Sequence, residues 1–140
     1  MCETPWKVVE LPSIRTPGKP GRLSIIELAK IAEGFFPNDA APRVYLIDND
    51  TPDWSARGGH QHPEGGKREL LVALKGMIEF DLHSASVCLS MTLHLPTRGL
   101  LLPTGVWHGV SLSPGALLLA IASTLYAPDE SLTTKPCLCP

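Results

Sequence analysis

The most regular stretch of the chain is Val87-Cys88-Leu89-Ser90-Met91-Thr92-Leu93-His94-Leu95, where every second side chain is apolar. Side chains alternate between the two faces of a strand, so Val87, Leu89, Met91, Leu93 and Leu95 share one face. Cys88, Ser90, Thr92 and His94 fall on the other. Residues 77–82 repeat the pattern with Ile78, Phe80 and Leu82, and 42–47 alternate as well. Residues 69–75 form a dense apolar strand and 116–123 a continuous buried one, with two shorter pieces, 100–102 and 106–110, between them. Turn residues punctuate these runs: 48–52, Pro63-Glu64-Gly65-Gly66, 83–86, Pro96-Thr97-Arg98-Gly99, Pro103-Thr104-Gly105 and Ser113-Pro114-Gly115.

The first part of the chain is less regular. Residues 1–22 alternate prolines with short apolar pieces and read as an extended arm, added to a sheet edge or to a partner subunit. Positions 25, 28, 29 and 32 have helical spacing, whereas 23, 25 and the β-branched Ile26 favour a strand. The pattern predicts a strand to Glu27, then a helical turn through Glu33 ended by Gly34. Many short strands at near-regular spacing, with no long helix, indicate an antiparallel barrel or sandwich. A single domain over 1–127 with a tail at 128–140 is expected.

Composition narrows the function classes. The fourteen prolines and twelve glycines suit short strands and many turns. A formal net charge of −2 carries no basic excess, which argues against a nucleic-acid or anionic-membrane surface. The longest apolar run, 116–122, is far too short to cross a bilayer. Met1-Cys2-Glu3-Thr4-Pro5 lacks a basic region followed by an apolar run, so the expected compartment is the cytoplasm. Cys2, Cys88, Cys137 and Cys139 show no zinc-type spacing, and the last two read as part of a frayed, proline-flanked end.

The chemistry concentrates at Arg57-Gly58-Gly59-His60-Gln61-His62. Two histidines one residue apart project from the same face of a strand, with Cβ atoms roughly 6–7 Å apart. That spacing lets two imidazoles chelate one metal ion, or serve adjacent carbons of a substrate as base and acid. Other candidates carry plainer readings beside the functional ones. His108 next to Trp107 also suits a core histidine, Tyr45 a packing residue, and Arg43 a solvated or interface charge. His83 in a turn, His94 on a polar face and Glu64 in a loop read as bystanders.

His60-x-His62 followed by Glu69 and Gly76, then Gly99 and Pro103-x-Gly105-x-x-His108, resemble the two cupin motifs. Within the cupins the chain is similar to the WxcM-like nucleotide-sugar 3,4-ketoisomerases. The residues carrying this are Arg57–His62, Arg43-Val44-Tyr45, Pro103-Thr104-Gly105-Val106-Trp107-His108, Gly21-Arg22-Leu23-Ser24 with Glu27, and 117–123 followed by Tyr126. Three departures stand out. Gln61 replaces the family's alanine, two extra residues fall in the 63–67 loop, and the family's C-terminal segment is replaced by Pro128-Asp129-Glu130-Ser131-Leu132 and the cysteine tail.

The resemblance implies an all-β cupin jelly roll, pairing into a homodimer through the arm, and a metal-free, cofactor-free isomerase. Its implied substrate is a dTDP-linked 4-keto-6-deoxyhexose. His60 is then the base at C3 and His62 the proton donor at C4, with Arg57, Tyr45, Arg43, Trp107 and His108 binding substrate. Two alternatives stay open. His60, His62, Glu69 and His108 together complete a three-His, one-carboxylate set for one divalent transition metal, as in a dioxygenase or lyase. Glu69, which replaces the family's usual Gln, lies seven residues past His62. It faces inward only if the glycine loop resets the strand's parity. The other alternative is a small-ligand-binding cupin without turnover.

Overall fold

In the computed structural model, which describes residues 3–127 and 131–136, two antiparallel sheets face one another. The strands are β1 (Lys7–Glu10), β2 (Ser13–Ile14), β3 (Leu23–Ser24), β4 (Arg43–Asp48), β5 (Ser55–His60), β6 (Glu69–Lys75), β7 (Ile78–His83), β8 (Cys88–Leu93), β9 (Arg98–Leu102), β10 (Trp107–Leu112) and β11 (Leu117–Ala122). One sheet runs β1-β9-β6-β11-β4 and the other β5-β10-β7-β8, with β2 and β3 as a separate ribbon. This is the all-β cupin jelly roll that the strand pattern and the two motifs implied.

The core follows from the alternation. Between the sheets lie Leu71, Phe80, Leu82, Leu100, Leu102, Val110, Leu112 and Leu118, all buried. A second cluster, Leu70, Val72, Leu101 and Ile121 with Phe36 and Ala32, covers the outer face of the five-stranded sheet. This explains the dense run 70–73. β6 is buried on both faces because the short helix α1 (Leu28–Ile31) and Phe36 cap one side while the second sheet covers the other.

Where the elements differ from the sequence expectation, their neighbours explain it. The strand expected to reach Glu27 ends at Ser24 and the helical turn shrinks to α1, closed by Gly34 at φ 72°. β8 spans Cys88–Leu93 rather than 87–95. Because it is the outermost strand of its sheet, Leu93 is buried while Leu89 is 45% exposed. The arm adds to this chain's own sheet edge through β1 and β9, with Trp6 and Leu11 buried at its two ends. Cys2, Cys137 and Cys139 lie outside the described residues.

One clamp went unread in the sequence. Asn49, buried in the turn after β4, donates from its amide to the carbonyls of Asp53 at 2.7 Å and Leu112 at 3.0 Å, and its Oδ1 accepts from Thr51. The connection that launches β5 is thereby fixed to the end of β10.

Candidate active site

β5 delivers the histidines through a glycine bulge. It pairs with β10 so that His108 lies opposite His60 but Gly109 lies opposite Gly58, which leaves Gly59 as the extra residue. Gly58 and Gly59 both have φ 81°. A Cβ on Gly58 would stand 2.8 Å from the His108 carbonyl oxygen, so the backbones approach too closely for any other residue. The bulge brings three imidazoles together. Ring centroids are 5.0 Å apart for His60 and His62, 4.8 Å for His60 and His108, and 5.5 Å for His62 and His108. His62 lies just past the end of β5, yet it keeps the same side as His60.

The three rings occupy different environments. The His108 ring donates from Nδ1 to the Val106 carbonyl at 3.0 Å, leaving Nε2 facing the site. Burial holds His108 down at about 4. His60 is half-buried, and burial, helped by His62 and Lys67, also holds it below the ordinary imidazole value. Neither ring nitrogen of the buried His62 has a hydrogen-bond partner among the described residues. Its Nε2 stands 3.5 Å from Glu69 Oε1, at the outer limit of a hydrogen bond.

Glu69 opens β6 on the same face as Leu71 and Ala73, 2% exposed, so the 63–67 loop does set it inward. Its Oε1 lies 3.3 Å from Lys67 Nζ, and its Oε2 accepts from the Tyr45 hydroxyl. Lys67 also donates to the Tyr45 oxygen at 3.3 Å. Burial alone would raise the Glu69 carboxyl. His62, Lys67 and Tyr45 outweigh it and bring Glu69 down to about 2. Burial, and the charge of Glu69 beside it, push the Tyr45 hydroxyl far upward.

Two small chambers meet at His60 and Lys67. The inner one, about 170 Å³, sits between the sheets and is lined by Tyr45, Arg57, Glu69 and His108 over an apolar floor that includes Ile47 and Leu118. The outer one, about 180 Å³, is lined by Arg43, His60, His62, Lys67, Tyr126 and Ser131. The Arg43 guanidinium lies between two aromatic rings, 5.3 Å from the centre of Tyr45 and 5.8 Å from that of Tyr126. Its buried Nε has no hydrogen-bond partner among the described residues.

The structure thus brings together His60, His62, His108, Arg57, Tyr45, Arg43 and Glu69. Trp107 lines neither chamber and shares only the outer groove with Arg57. Adjacent residues of a strand face opposite ways, and with His108 turned inward Trp107 covers Gly109 on the outer face, where it lines a broad groove with Asp81 and Glu79. His83, expected in a turn, instead ends β7. It is buried, with Nε2 3.0 Å from Asp81 Oδ1 and its ring edge-on to Trp107. Lys67 joins the site without a motif of its own, its one sequence signal being its position two residues before Glu69. Tyr126, noted only as part of the resemblance, and Ser131 enter through long-range packing.

Residues 4–134 match the family described as FdtA: WxcM-like, C-terminal. Solved structures are similar over nearly the whole chain. A 3,4-ketoisomerase from Helicobacter canadensis is 27% identical with a TM-score of 0.78, covering 94% of this chain and 92% of its own. The WlaRB TDP-quinovose 3,4-ketoisomerase from Campylobacter jejuni is 26% identical with a TM-score of 0.80, covering 94% and 95%. A double mutant of the QdtA 3,4-ketoisomerase from Thermoanaerobacterium thermosaccharolyticum, in complex with TDP, is 25% identical with a TM-score of 0.74, covering 92% and 87%. No curated protein matches the chain.

Proposed function

The chain belongs to the WxcM-like family, and on that footing we propose that it is a sugar 3,4-ketoisomerase acting on a dTDP-linked 4-keto-6-deoxyhexose. The observation that carries this is the place of His60. It forms the wall shared by both chambers, with the His62 ring 5.0 Å away, so two imidazoles can address adjacent carbons of one ring. His60, kept unprotonated at neutral pH by burial, takes the proton from C3, and the electron pair moves to the C4 oxygen. The enediolate passes the hydroxyl proton from O3 to O4. C4 then takes a proton from His62 as the C3 carbonyl forms. Solvent exchange returns the proton from His60 and restores the one on His62.

The other residues hold this intermediate. Lys67 lines both chambers and supplies a cation for the developing oxyanion, with Arg57 in the wall of the inner chamber. Tyr45 and Glu69 buttress Lys67 and His62. The apolar floor of Ile47 and Leu118 suits the 6-deoxy methyl group. Incubation with a dTDP-4-keto-6-deoxyhexose in D2O tests the reading. Deuterium should enter the sugar ring with wild-type protein and not with His60→Ala, and binding without exchange identifies a non-catalytic ligand-binding cupin instead.

A second reading has its own observation. The ligand nitrogens of His60, His62 and His108 all lie within 4.8 Å of one another, a spacing that fits one divalent transition metal. Such an ion would act as a Lewis acid toward a substrate oxygen. Glu69 fits less well as a fourth ligand, because Tyr45 and the Lys67 ammonium already engage its two oxygens. Metal analysis separates the readings: stoichiometric metal that is lost in His108→Ala favours the second. We further propose a cytoplasmic homodimer. Val44 and Leu46, 61% and 59% exposed on the edge strand β4, offer a face for a second copy, and solution mass measurement tests it. Among the described residues no helix is long and apolar enough to cross a membrane.

A further inference from the structure

Gln61 separates the two histidines, and among the described residues its hydrogen bonds run to the far end of the chain. Its backbone N–H donates to the Leu132 carbonyl at 2.7 Å, and the Leu132 N–H donates back to the Gln61 carbonyl at 2.8 Å. The neighbouring His62 carbonyl turns the other way, accepting from the Gly105 N–H at 2.8 Å. Leu132 therefore pairs with the chain just past the end of β5, on the side away from Gly105. The Gln61 side chain adds a bond from Nε2 to the Thr134 carbonyl at 2.6 Å. Trp107 completes the mooring, with Nε1 donating to the Thr133 carbonyl at 3.2 Å and Lys135 Nζ resting 4.5 Å from its ring centre.

This mooring puts Ser131 in the wall of the outer chamber, which Arg43 and Tyr126 also line. The chamber is cationic through Arg43 and Lys67, and the buried Arg43 Nε lacks a partner among the described residues. These features fit a phosphoryl oxygen there, while the apolar floor of the inner chamber fits the deoxysugar. We propose that residues 131–135 form a strap closing the diphosphate end of the substrate site, and that Gln61 is the positioning residue that holds the strap in place. This rests on the nucleotide-sugar reading above. It assigns Gln61, whose side chain points away from both chambers, a part in retaining substrate rather than in moving protons.

Two variants test it from opposite sides. Gln61→Ala removes the side-chain bond to Thr134, and Leu132→Pro removes the strap's own N–H donor while leaving β5 unaltered. Each should raise KM for the dTDP-sugar about fivefold, the effect of losing one hydrogen bond of about 1 kcal/mol, with kcat held within about twofold. Hydrogen exchange supplies a readout apart from turnover. The Leu132 amide should lose protection in Gln61→Ala while the β11 amides keep theirs. Turnover with KM unchanged in both variants overturns the strap proposal and leaves the ketoisomerase reading standing. Absence of turnover or dTDP-sugar binding in the wild-type protein overturns both.

Discussion

Lys67 Nζ and Glu69 Oε1 lie 3.3 Å apart inside the barrel, with side chains 13% and 2% exposed. An ion pair so far out of water owes its stability to geometry, since attraction must offset the desolvation of both charges. The Tyr45 hydroxyl takes up the second carboxylate oxygen, which makes the arrangement self-contained.

Removing one partner should therefore be worse than removing both. Lys67→Met leaves a buried carboxylate uncompensated and is expected to destabilise the fold by about 3 kcal/mol. The double variant Lys67→Met with Glu69→Gln should recover most of that loss. Denaturant midpoints of the four proteins in the cycle measure the coupling.

Acid should weaken the protein in two stages. His108 is depressed to about 4, so between its ordinary value near 6.5 and 4 the unfolded chain binds more protons than the native one. Stability contributed by neutral His108 is complete above 6.5 and is lost as pH falls through that window. Glu69, depressed to about 2 from 4.5, contributes stability present above 4.5 that is lost as pH falls toward 2. Thermal midpoints followed from pH 7 to pH 4 should fall more steeply for wild-type protein than for His108→Asn.

Gly58 and Gly59 share the same positive φ, yet their surroundings differ. A side chain on Gly59 meets only the Trp107 ring edge at 3.7 Å, whereas one on Gly58 collides with the His108 carbonyl oxygen at 2.8 Å. Gly59→Ala is expected to destabilise by about 1 kcal/mol through backbone strain alone. Gly58→Ala should exceed that and also reduce kcat, because His108 and His60 are displaced together. Parallel stability and turnover measurements distinguish the two.

His60→Ala should lower kcat by a factor on the order of 10²–10⁴, the range for losing a general base, with thermal stability little changed because the ring is only half-buried. Turnover retained in this variant would assign the base elsewhere.

Much of this site is legible in the sequence. The alternation predicted the strands, and the two motifs singled out His60 and His108, which sit opposite one another in the β5–β10 ladder. The direction of Glu69 was not legible, since parity across 63–67 depends on backbone angles that residue types alone leave open. The placing of Trp107 on the face opposite His108 follows from elementary alternation. With His108 inward, its neighbour had to face outward. The partners of Gln61 lay beyond reach for another reason. Its side-chain bond to Thr134 spans 73 positions, and no local pattern encodes such a pairing.

The bulge at Gly59 has a consequence for how this site can change over evolutionary time. Arg57 and His60, three positions apart, share the inner face only because the bulge absorbs Gly59; a strand that took Gly59 into the ladder would turn Gln61 toward the barrel and both histidines toward solvent. A deletion of the three nucleotides for Gly59 would instead leave His60 opposite His108 by plain alternation, so the chain could lose the bulge and keep the face on which its chemistry sits.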